Sequence, residues 1–199
     1  TVHHEVATSA LLQERCPVVA EAASTIGDPQ VRNRGTIGGS VAHADPSADM
    51  PAVLVALDAE IHLKGPRGWR MVKAGAFFKD LFTVDLAADE IIVSIQFAPV
   101  RTAAYAKLHQ RASHYAIVGV AVALEMSDGK IRSARVGVTG AASQASRLTA
   151  VEQAMAGHSP SAAEVERAVQ AAGQGLENVN ADLHASADYR RAMIPVFTR

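Results

Sequence analysis

The chain has 199 residues, of which 49% are hydrophobic, a formal net charge of -1 and a single cysteine, Cys16. This size suffices for one large domain or two small ones, while the near-neutral charge and the lack of an apolar run of roughly 18 residues favour a cytoplasmic protein without nucleic-acid binding or membrane insertion. One thiol cannot hold an iron–sulfur cluster, because such clusters need several cysteine ligands.

The first half of the sequence alternates helical patterns with short strand patterns. It opens directly in a helical pattern, and we expect an N-terminal portion to be missing. Apolar spacing predicts three helices, over residues 5–15, 18–26 and 48–57, with Pro17 in the first turn of the second. Predicted strands cover residues 59–64, 69–73 and 90–97, and the first two form a hairpin across a Gly-Pro-Arg-Gly turn.

Residues 30–47 are polar and glycine-rich, which predicts a long functional loop. Residues 35–40 read Gly-Thr-Ile-Gly-Gly-Ser, and glycines allow positive φ angles and a close approach of a ligand to the backbone. Two hydroxyls and successive amides there could form an anion site, although a glycine pair also suits an ordinary turn. Neither a P-loop nor a Rossmann glycine motif is present.

The second half changes to long strands followed by helices. Predicted strands cover residues 102–109, 115–126 and 130–139, with a Ser-Asp-Gly turn between the last two. Predicted helices follow over residues 147–156, 161–173 and 187–195. This order indicates the α+β class, and Pro99 marks a boundary between a domain of residues 1–99 and one of residues 100–199.

The block of residues 26–49, IGDPQVRNRGTIGGSVAHADPSAD, closely resembles the FAD-binding medium subunit of the molybdenum hydroxylases. This family includes the flavoprotein subunits of carbon monoxide dehydrogenase and xanthine dehydrogenase, and the resemblance continues at residues 89–92 and 105–118. It implies an FAD-binding subdomain of the PCMH or vanillyl-alcohol-oxidase-like type, followed by a C-terminal three-stranded antiparallel sheet packed with helices.

The resemblance also implies a set of cofactor-binding residues and neither a catalytic residue nor a metal ligand. These residues are Ile26, Thr36, Ile37, Gly38, Gly39, Ser40, Asp49, Ile92 and Lys107. Residues 36–40 match the loop around the FAD pyrophosphate and ribityl chain, and Asp49 matches an acidic residue that hydrogen-bonds the cofactor. Lys107 matches a lysine near the isoalloxazine ring, where a cation would stabilise reduced flavin.

The chain departs from the family pattern at three places. The first flavin loop of the family, of the Ala-Gly-Gly-x-Ser type, is absent. His114 stands where relatives usually carry an aspartate, and Ser40 stands where many carry an asparagine. The first departure removes half of the expected pyrophosphate site, and the second replaces an acidic contact near the flavin ring.

The resemblance implies an FAD-dependent oxidoreductase subunit within a larger enzyme. Substrate would be oxidised at a molybdenum cofactor in a large partner subunit, and electrons would pass through a small 2Fe-2S subunit to FAD and then to a terminal acceptor. The single cysteine of this chain fits an enzyme whose iron–sulfur clusters belong to a partner subunit. The alternatives are a truncated, non-catalytic assembly module that has lost stable FAD binding, and a stand-alone flavin oxidase.

Several polar residues near the glycine segment have two interpretations each. Arg32 and Arg34 suit either cofactor phosphates or protein and solvent contacts. His43 and Asp45 suit a metal site or proton transfer, but lining the cofactor site is favoured. His3 precedes a second histidine, and because helix neighbours point about 100° apart, a structural role is favoured over a shared metal.

Overall fold

A computed structural model of the chain describes all residues from Thr1 to Arg199. The helices are α1 (His3–Thr8), α2 (Ala10–Arg15), α3 (Pro17–Ser24), α4 (Pro29–Arg34), α5 (Ile37–His43), α6 (Asp49–Ala56), α7 (Ala74–Phe77), α8 (Thr149–Met155), α9 (Ala162–Val169) and α10 (Ala187–Thr198). The strands are β1 (Glu60–Gly65), β2 (Gly68–Lys73), β3 (Phe78–Asp80), β4 (Thr83–Val84), β5 (Ile91–Gln96), β6 (Ala103–His109), β7 (Ala116–Ser127), β8 (Lys130–Thr139) and β9 (Ser146–Arg147). No helix combines the length and the apolar character that crossing a bilayer requires.

The strands form three antiparallel sheets, in agreement with the predicted α+β class. The first has the order β2-β1-β5, the second is the β3-β4 hairpin, and the third has the order β6-β7-β8-β9. Asp128 and Gly129, with φ angles of 52° and 74°, make the tight turn between β7 and β8. The three predicted C-terminal strands are confirmed, and the additional strand β9 is too short to show an apolar period.

The predicted long loop over residues 30–47 is wrong, because two short helices occupy most of it. Asp28 caps α4 by accepting a hydrogen bond from the N–H of Val31 at 3.0 Å. Thr36 caps α5 in the same way, through the N–H of Gly39 at 2.9 Å. None of the glycines of residues 35–40 has a positive φ, so the expected left-handed turn does not occur.

Three other predicted helices differ in their bounds. The helix predicted over residues 161–173 ends at Val169. The helix predicted over residues 5–15 is interrupted at Ser9, whose extended backbone ends α1 and whose hydroxyl caps α2. The last helix continues through Pro195 to Thr198. Pro195 has no N–H to bond the carbonyl of Arg191, but the helical pattern resumes after it, because the N–H of Arg199 bonds the carbonyl of Pro195.

Helix α6 packs directly against the C-terminal sheet, in the middle of the molecule. All eight of its residues are buried. A Cβ at Gly137 of β8 would lie 2.1 Å from the carbonyl oxygen of Ala52, so glycine permits this close approach. One hydrophobic cluster joins α1, α3 and α6 to β6 and β7. The division at residue 99 therefore stays a prediction about sequence units, since the core crosses it.

Candidate functional site

Two cavities lie on either side of the first turn of α5. The polar cleft has a volume of about 490 Å³, and its walls include Ile26, Ser40, Asp49, His114 and Tyr115. The apolar groove has a volume of about 770 Å³, and its walls include Ile37, Gly38, Glu90, Ile92 and Phe97. Thr36 and Gly39 line both cavities, so the start of α5 forms a ridge between them.

The ridge is fixed from the N-terminal side by backbone pairing. Val2 forms an isolated antiparallel bridge with Thr36, and the N–H of His3 donates to the carbonyl of Gly35 at 2.9 Å. The His3 ring packs so closely that a Cβ at Gly35 would lie 3.1 Å from it. Gly38 is different, because a Cβ there would meet no atom within 4 Å. The ridge is thus rigid at its base and open where Gly38 faces the groove.

Asp49, in the first turn of α6, sits at the centre of a buried network behind the polar cleft. Its side chain is 5% exposed. The Tyr105 hydroxyl donates to Asp49 Oδ1 at 2.5 Å, and Lys107 Nζ lies 3.0 Å from Oδ1 and 3.1 Å from Oδ2. A Cβ at Gly119 would lie 2.3 Å from the Tyr105 hydroxyl, so this glycine makes room for the network. Both partners come from β6, so the network joins the two halves of the chain.

The Lys107 ammonium donates its hydrogen bonds to protein groups. Besides Asp49, its ammonium donates to the carbonyl of Thr25 at 2.9 Å and to the carbonyl of His114 at 2.8 Å. Its side chain is 5% exposed and belongs to the wall of neither cavity. Lys107 therefore ties the end of α3, the start of α6 and the loop after β6 together, immediately behind the polar cleft.

Burial and neighbouring charges set the protonation of this region. Burial raises the pKa of Asp49, while the Lys107 ammonium and the Tyr105 hydroxyl oppose that rise. Burial and the Asp49 charge raise the pKa of Tyr105 well above its usual range. Burial also raises the pKa of Tyr115, with the charges of Asp45 and Asp49 adding to the effect. Both phenols therefore keep their protons at neutral pH.

The other candidates near the ridge have separate roles. Arg32 donates to the carbonyls of Ile26 and Gly27 at 2.9 and 3.0 Å, so it bonds the backbone. Arg34, His43 and Asp45 line the polar cleft. Histidine, cysteine, aspartate and glutamate side chains form no group of three or more that could hold a metal ion.

The structure distributes the predicted cofactor residues over both cavities. Ile26, Ser40 and Asp49 face the polar cleft, whereas Ile37, Gly38 and Ile92 face the apolar groove, with Thr36 and Gly39 between them. Lys107 lies one layer deeper, behind Asp49.

Sequence reasoning missed two tyrosines. Tyr115 lines the polar cleft, and Tyr105 orients Asp49. For Tyr105 a sequence signal did exist, because Gly119 in the middle of a predicted strand indicates that something approaches the backbone closely.

Two family descriptions match the chain end to end. "FAD binding domain in molybdopterin dehydrogenase" matches residues 1–99, and "CO dehydrogenase flavoprotein C-terminal domain" matches residues 103–199. The carbon monoxide dehydrogenase medium chain of Hydrogenophaga pseudoflava is 37% identical over 196 residues, which are 97% of this chain and 68% of that protein. The glyceraldehyde dehydrogenase medium chain of Sulfolobus acidocaldarius is 34% identical over 201 residues, with 100% and 71% covered.

Solved structures of the same kind superpose on the whole chain. Carbon monoxide dehydrogenase from Hydrogenophaga pseudoflava gives a TM-score of 0.93 at 38% identity, over 100% of this chain and 70% of the matched chain. Quinoline 2-oxidoreductase from Pseudomonas putida 86 gives a TM-score of 0.91 at 28% identity, with the same coverage.

Proposed function

Because this chain belongs to the FAD-binding medium subunits of the molybdenum hydroxylase family, we propose that it holds FAD across the ridge at the start of α5 and passes electrons from partner iron–sulfur clusters to a terminal acceptor. It is an oxidoreductase subunit, and its cofactor is FAD. The proposal concerns where FAD binds, which residues contact it and where its electrons come from and go.

The ridge between the two cavities is the observation that supports this site. Thr36 and Gly39 line both cavities, and the other predicted cofactor residues except Lys107 line one or the other. Each cavity has a volume within the range of about 300–1,000 Å³ that is common for small-molecule sites. A long, partly polar and partly flat cofactor would suit two adjoining cavities of different polarity.

The groups at the ridge fit the chemistry of FAD. At the start of α5, the N–H of Ile37 donates to the carbonyl of Thr1 and the N–H of Gly39 donates to the Thr36 hydroxyl, so the N–H of Gly38 is the backbone donor left for a phosphate oxygen. The hydroxyls of Thr36 and Ser40 are further donors beside it. Gly38 has open space where a side chain would stand, so a ligand can approach its backbone. We assign Thr36, Ile37, Gly38, Gly39 and Ser40 to the pyrophosphate and ribityl part.

The remaining predicted residues would hold the other parts of the cofactor. Ile26 in the cleft and Ile92 in the groove offer apolar contacts on opposite sides of the ridge. Asp49 offers a fixed carboxylate, because Tyr105 and Lys107 hold it from behind. Lys107 would act on the flavin through its charge and through Asp49, since its donors already bond protein groups.

Bound FAD supplies the chemistry of accepting electrons singly and releasing them in pairs. The chain's own residues supply position and electrostatics. Lys107 neutralises the Asp49 carboxylate at 3.0 Å, which reduces the repulsion between Asp49 and negative charge on a ligand in the cleft. Tyr115 stays protonated, so it can offer a hydroxyl donor and an aromatic face at the cleft wall.

We further propose that the chain works beside a large molybdenum-cofactor subunit and a small 2Fe-2S subunit. The supporting observations are the names of its relatives, which are medium chains or medium subunits of two dehydrogenases and one hydroxylase. The chain has one cysteine, Cys16, which is 1% exposed within a hydrophobic cluster. An electron donor of the iron–sulfur type would therefore belong to a partner.

Replacing Gly38 tests the FAD site, since the structure leaves room for a side chain there. Gly38→Val should fold like the wild type but bind FAD at least about tenfold more weakly, because the new methyl groups occupy the space that the cofactor needs. The matched control is Gly75→Val, since Gly75 also lies in a helix with open space around its Cβ position and lines neither cavity.

The measurement is FAD titration of each purified protein, followed by visible absorption and flavin fluorescence, with thermal unfolding in parallel. Weakened binding in Gly38→Val alone supports the site. Equal FAD affinity in all three proteins would place the cofactor elsewhere. A wild-type chain that takes up no flavin, even with partner subunits present, would favour the assembly module over the redox subunit.

A further inference from the structure

The backbone of His114 is held in an unusual conformation beside the polar cleft. Its φ is 61°, a left-handed value that is uncommon outside glycine, asparagine and aspartate. The N–H of His114 donates to the carbonyl of Gln110 at 2.9 Å, and its own carbonyl accepts from Lys107 Nζ at 2.8 Å. Both polar groups of this residue are therefore bonded, and the conformation is enforced by its surroundings.

The loop before His114 is built around one side-chain oxygen. Gln110 Oε1 accepts from the N–H of Ala112 at 2.8 Å and from the hydroxyl of Ser113 at 2.9 Å. The His109 ring meets the His114 ring edge to face, with centroids 5.4 Å apart. These contacts leave the imidazole of His114 little freedom to rotate.

The ring itself is oriented by a carbonyl oxygen. Nδ1 of His114 lies 3.2 Å from the carbonyl oxygen of Gly27. A carbonyl can only accept a hydrogen bond, so Nδ1 must carry the proton. In the neutral ring this leaves Nε2 as an acceptor with a free lone pair. Nε2 bonds no protein group and is not among the buried polar atoms that lack a partner.

Two carboxylates of the cleft already accept hydrogen bonds from protein groups. Asp49 accepts from Tyr105 and Lys107, and Asp45 Oδ1 accepts from the N–H of Ser47 at 2.8 Å. His114 lines the cleft beside them with one ring nitrogen available. An acceptor whose direction is fixed by a hydrogen bond at the other ring nitrogen is suited to binding a ligand N–H at one position.

We propose that His114 Nε2 accepts a hydrogen bond from a ligand N–H in the polar cleft. This inference rests on the proposed function: with FAD as the ligand, the donor is the imide N–H of the isoalloxazine ring, the one N–H group of the oxidised ring. His114 would then be a cofactor-contacting residue that sets which edge of the flavin enters the cleft.

A pair of ligands and a pair of variants test this contact. The probes are FAD and its 3-methyl analogue, in which a methyl group replaces the imide hydrogen. In His114→Asn the side-chain amide can still donate to Gly27, and asparagine tolerates the left-handed backbone, but the atom equivalent to Nε2 is gone. The matched control is His184→Asn, because His184 is exposed and lines neither cavity.

We expect the wild type and His184→Asn to bind FAD about tenfold more tightly than 3-methyl-FAD, as one hydrogen bond in a buried site requires. His114→Asn should bind both ligands with equal, weaker affinity and unfold at the wild-type temperature. Equal discrimination in all three proteins, or none in the wild type, would overturn this contact while leaving FAD binding intact. A wild type that binds neither ligand would overturn the proposed function together with this inference.

A second readout does not depend on binding energies. In protein with nitrogen-15-labelled histidine, the Nε2 resonance of His114 should move when FAD saturates the site, and the Nδ1 resonance should stay in place. An unmoved Nε2 resonance at saturation would overturn the contact.

Discussion

The polar cleft and the apolar groove share the first turn of α5, yet the carboxylates in their walls are held in opposite ways. Burial raises the pKa of Asp49 in the cleft. Hydrogen bonds from Arg70 lower the pKa of Glu90 in the groove to about 2, with a further contribution from the N–H of Ala87. The side chains of both carboxylates are largely covered, 5% exposed for Asp49 and 8% for Glu90, but the Arg70 guanidinium that bonds Glu90 is 37% exposed, whereas the Lys107 side chain that bonds Asp49 is 5% exposed.

This difference predicts which changes should destabilise each region. Removing one partner of a buried pair leaves an uncompensated charge, whereas removing one partner of a solvated pair lets water replace it. The cleft should therefore depend strongly on each member of its network. In the groove, removing an ion pair should cost little stability at neutral pH, and the contribution of Glu90 to stability should be lost in acid.

The largest loss of stability is expected for Lys107→Met in the cleft. Asp49 would remain buried beside Tyr105 without its cation, and we expect the free energy of unfolding to fall by about 3–5 kcal/mol. Chemical denaturation at neutral pH measures the change. The Asp49→Asn change in the same chain should restore part of the loss, because it removes the unpaired charge. A loss below about 1 kcal/mol would show that the cleft is solvated like the groove.

A smaller effect in the same network is expected for Tyr105→Phe. Asp49 loses its hydroxyl donor at 2.5 Å but keeps Lys107, and a hydrogen bond to a charged group contributes about 1.5–3 kcal/mol. The control is Tyr189→Phe, because Tyr189 is 46% exposed on α10. Denaturant midpoints of the two variants give the comparison. If both variants lose the same small free energy of unfolding, the hydrogen bond from Tyr105 to Asp49 contributes no more than an exposed tyrosine hydroxyl does.

In the groove, Glu90→Gln should change how stability depends on pH. The pKa of Glu90 falls from an ordinary 4.5 to about 2 on folding, so its stabilisation is complete above pH 4.5 and is lost as the pH falls towards 2. The variant should unfold at a lower temperature at neutral pH, and its deficit should shrink across that acid range. Thermal unfolding at a series of pH values measures this, with the exposed Glu177→Gln as control. A deficit that stays constant with pH would contradict the assigned pKa.

The smallest effect should come from Arg67→Ala at the solvent edge of the groove. Arg67 bonds both oxygens of Asp89 at 3.0 and 3.2 Å, but its side chain is 73% exposed. Exposed pairs contribute at most about 1 kcal/mol, and we expect a change within about 0.5 kcal/mol. Urea denaturation at low and high salt checks it. A larger, salt-independent loss would mean that this hairpin is held as firmly as the cleft.

The sequence supplied most of the regular structure because periodicity is a local property. The hairpin of β1 and β2, strands β5 to β8 and helices α3, α6, α8 and α9 all carry the apolar spacing of their type. The short helices α4 and α5 escaped prediction because six or seven residues hold too few turns to show a stripe. Their caps, Asp28 and Thr36, were visible in the sequence, but glycines within α5 resemble a loop.

By itself, the sequence determined the family, the order of the longer elements and the segment that forms the ridge, since a long matching block and apolar spacing depend only on residue order. The tertiary structure decided what the side chains do. Lys107 and Asp49 are 58 positions apart, and no local pattern reveals that the lysine bonds this carboxylate and two carbonyls. His114 acquired its bonded Nδ1 and available Nε2 from Gly27, which is 87 positions away. Hydrogen bonds between distant segments depend on how the elements pack, and packing is decided only when the whole chain has folded.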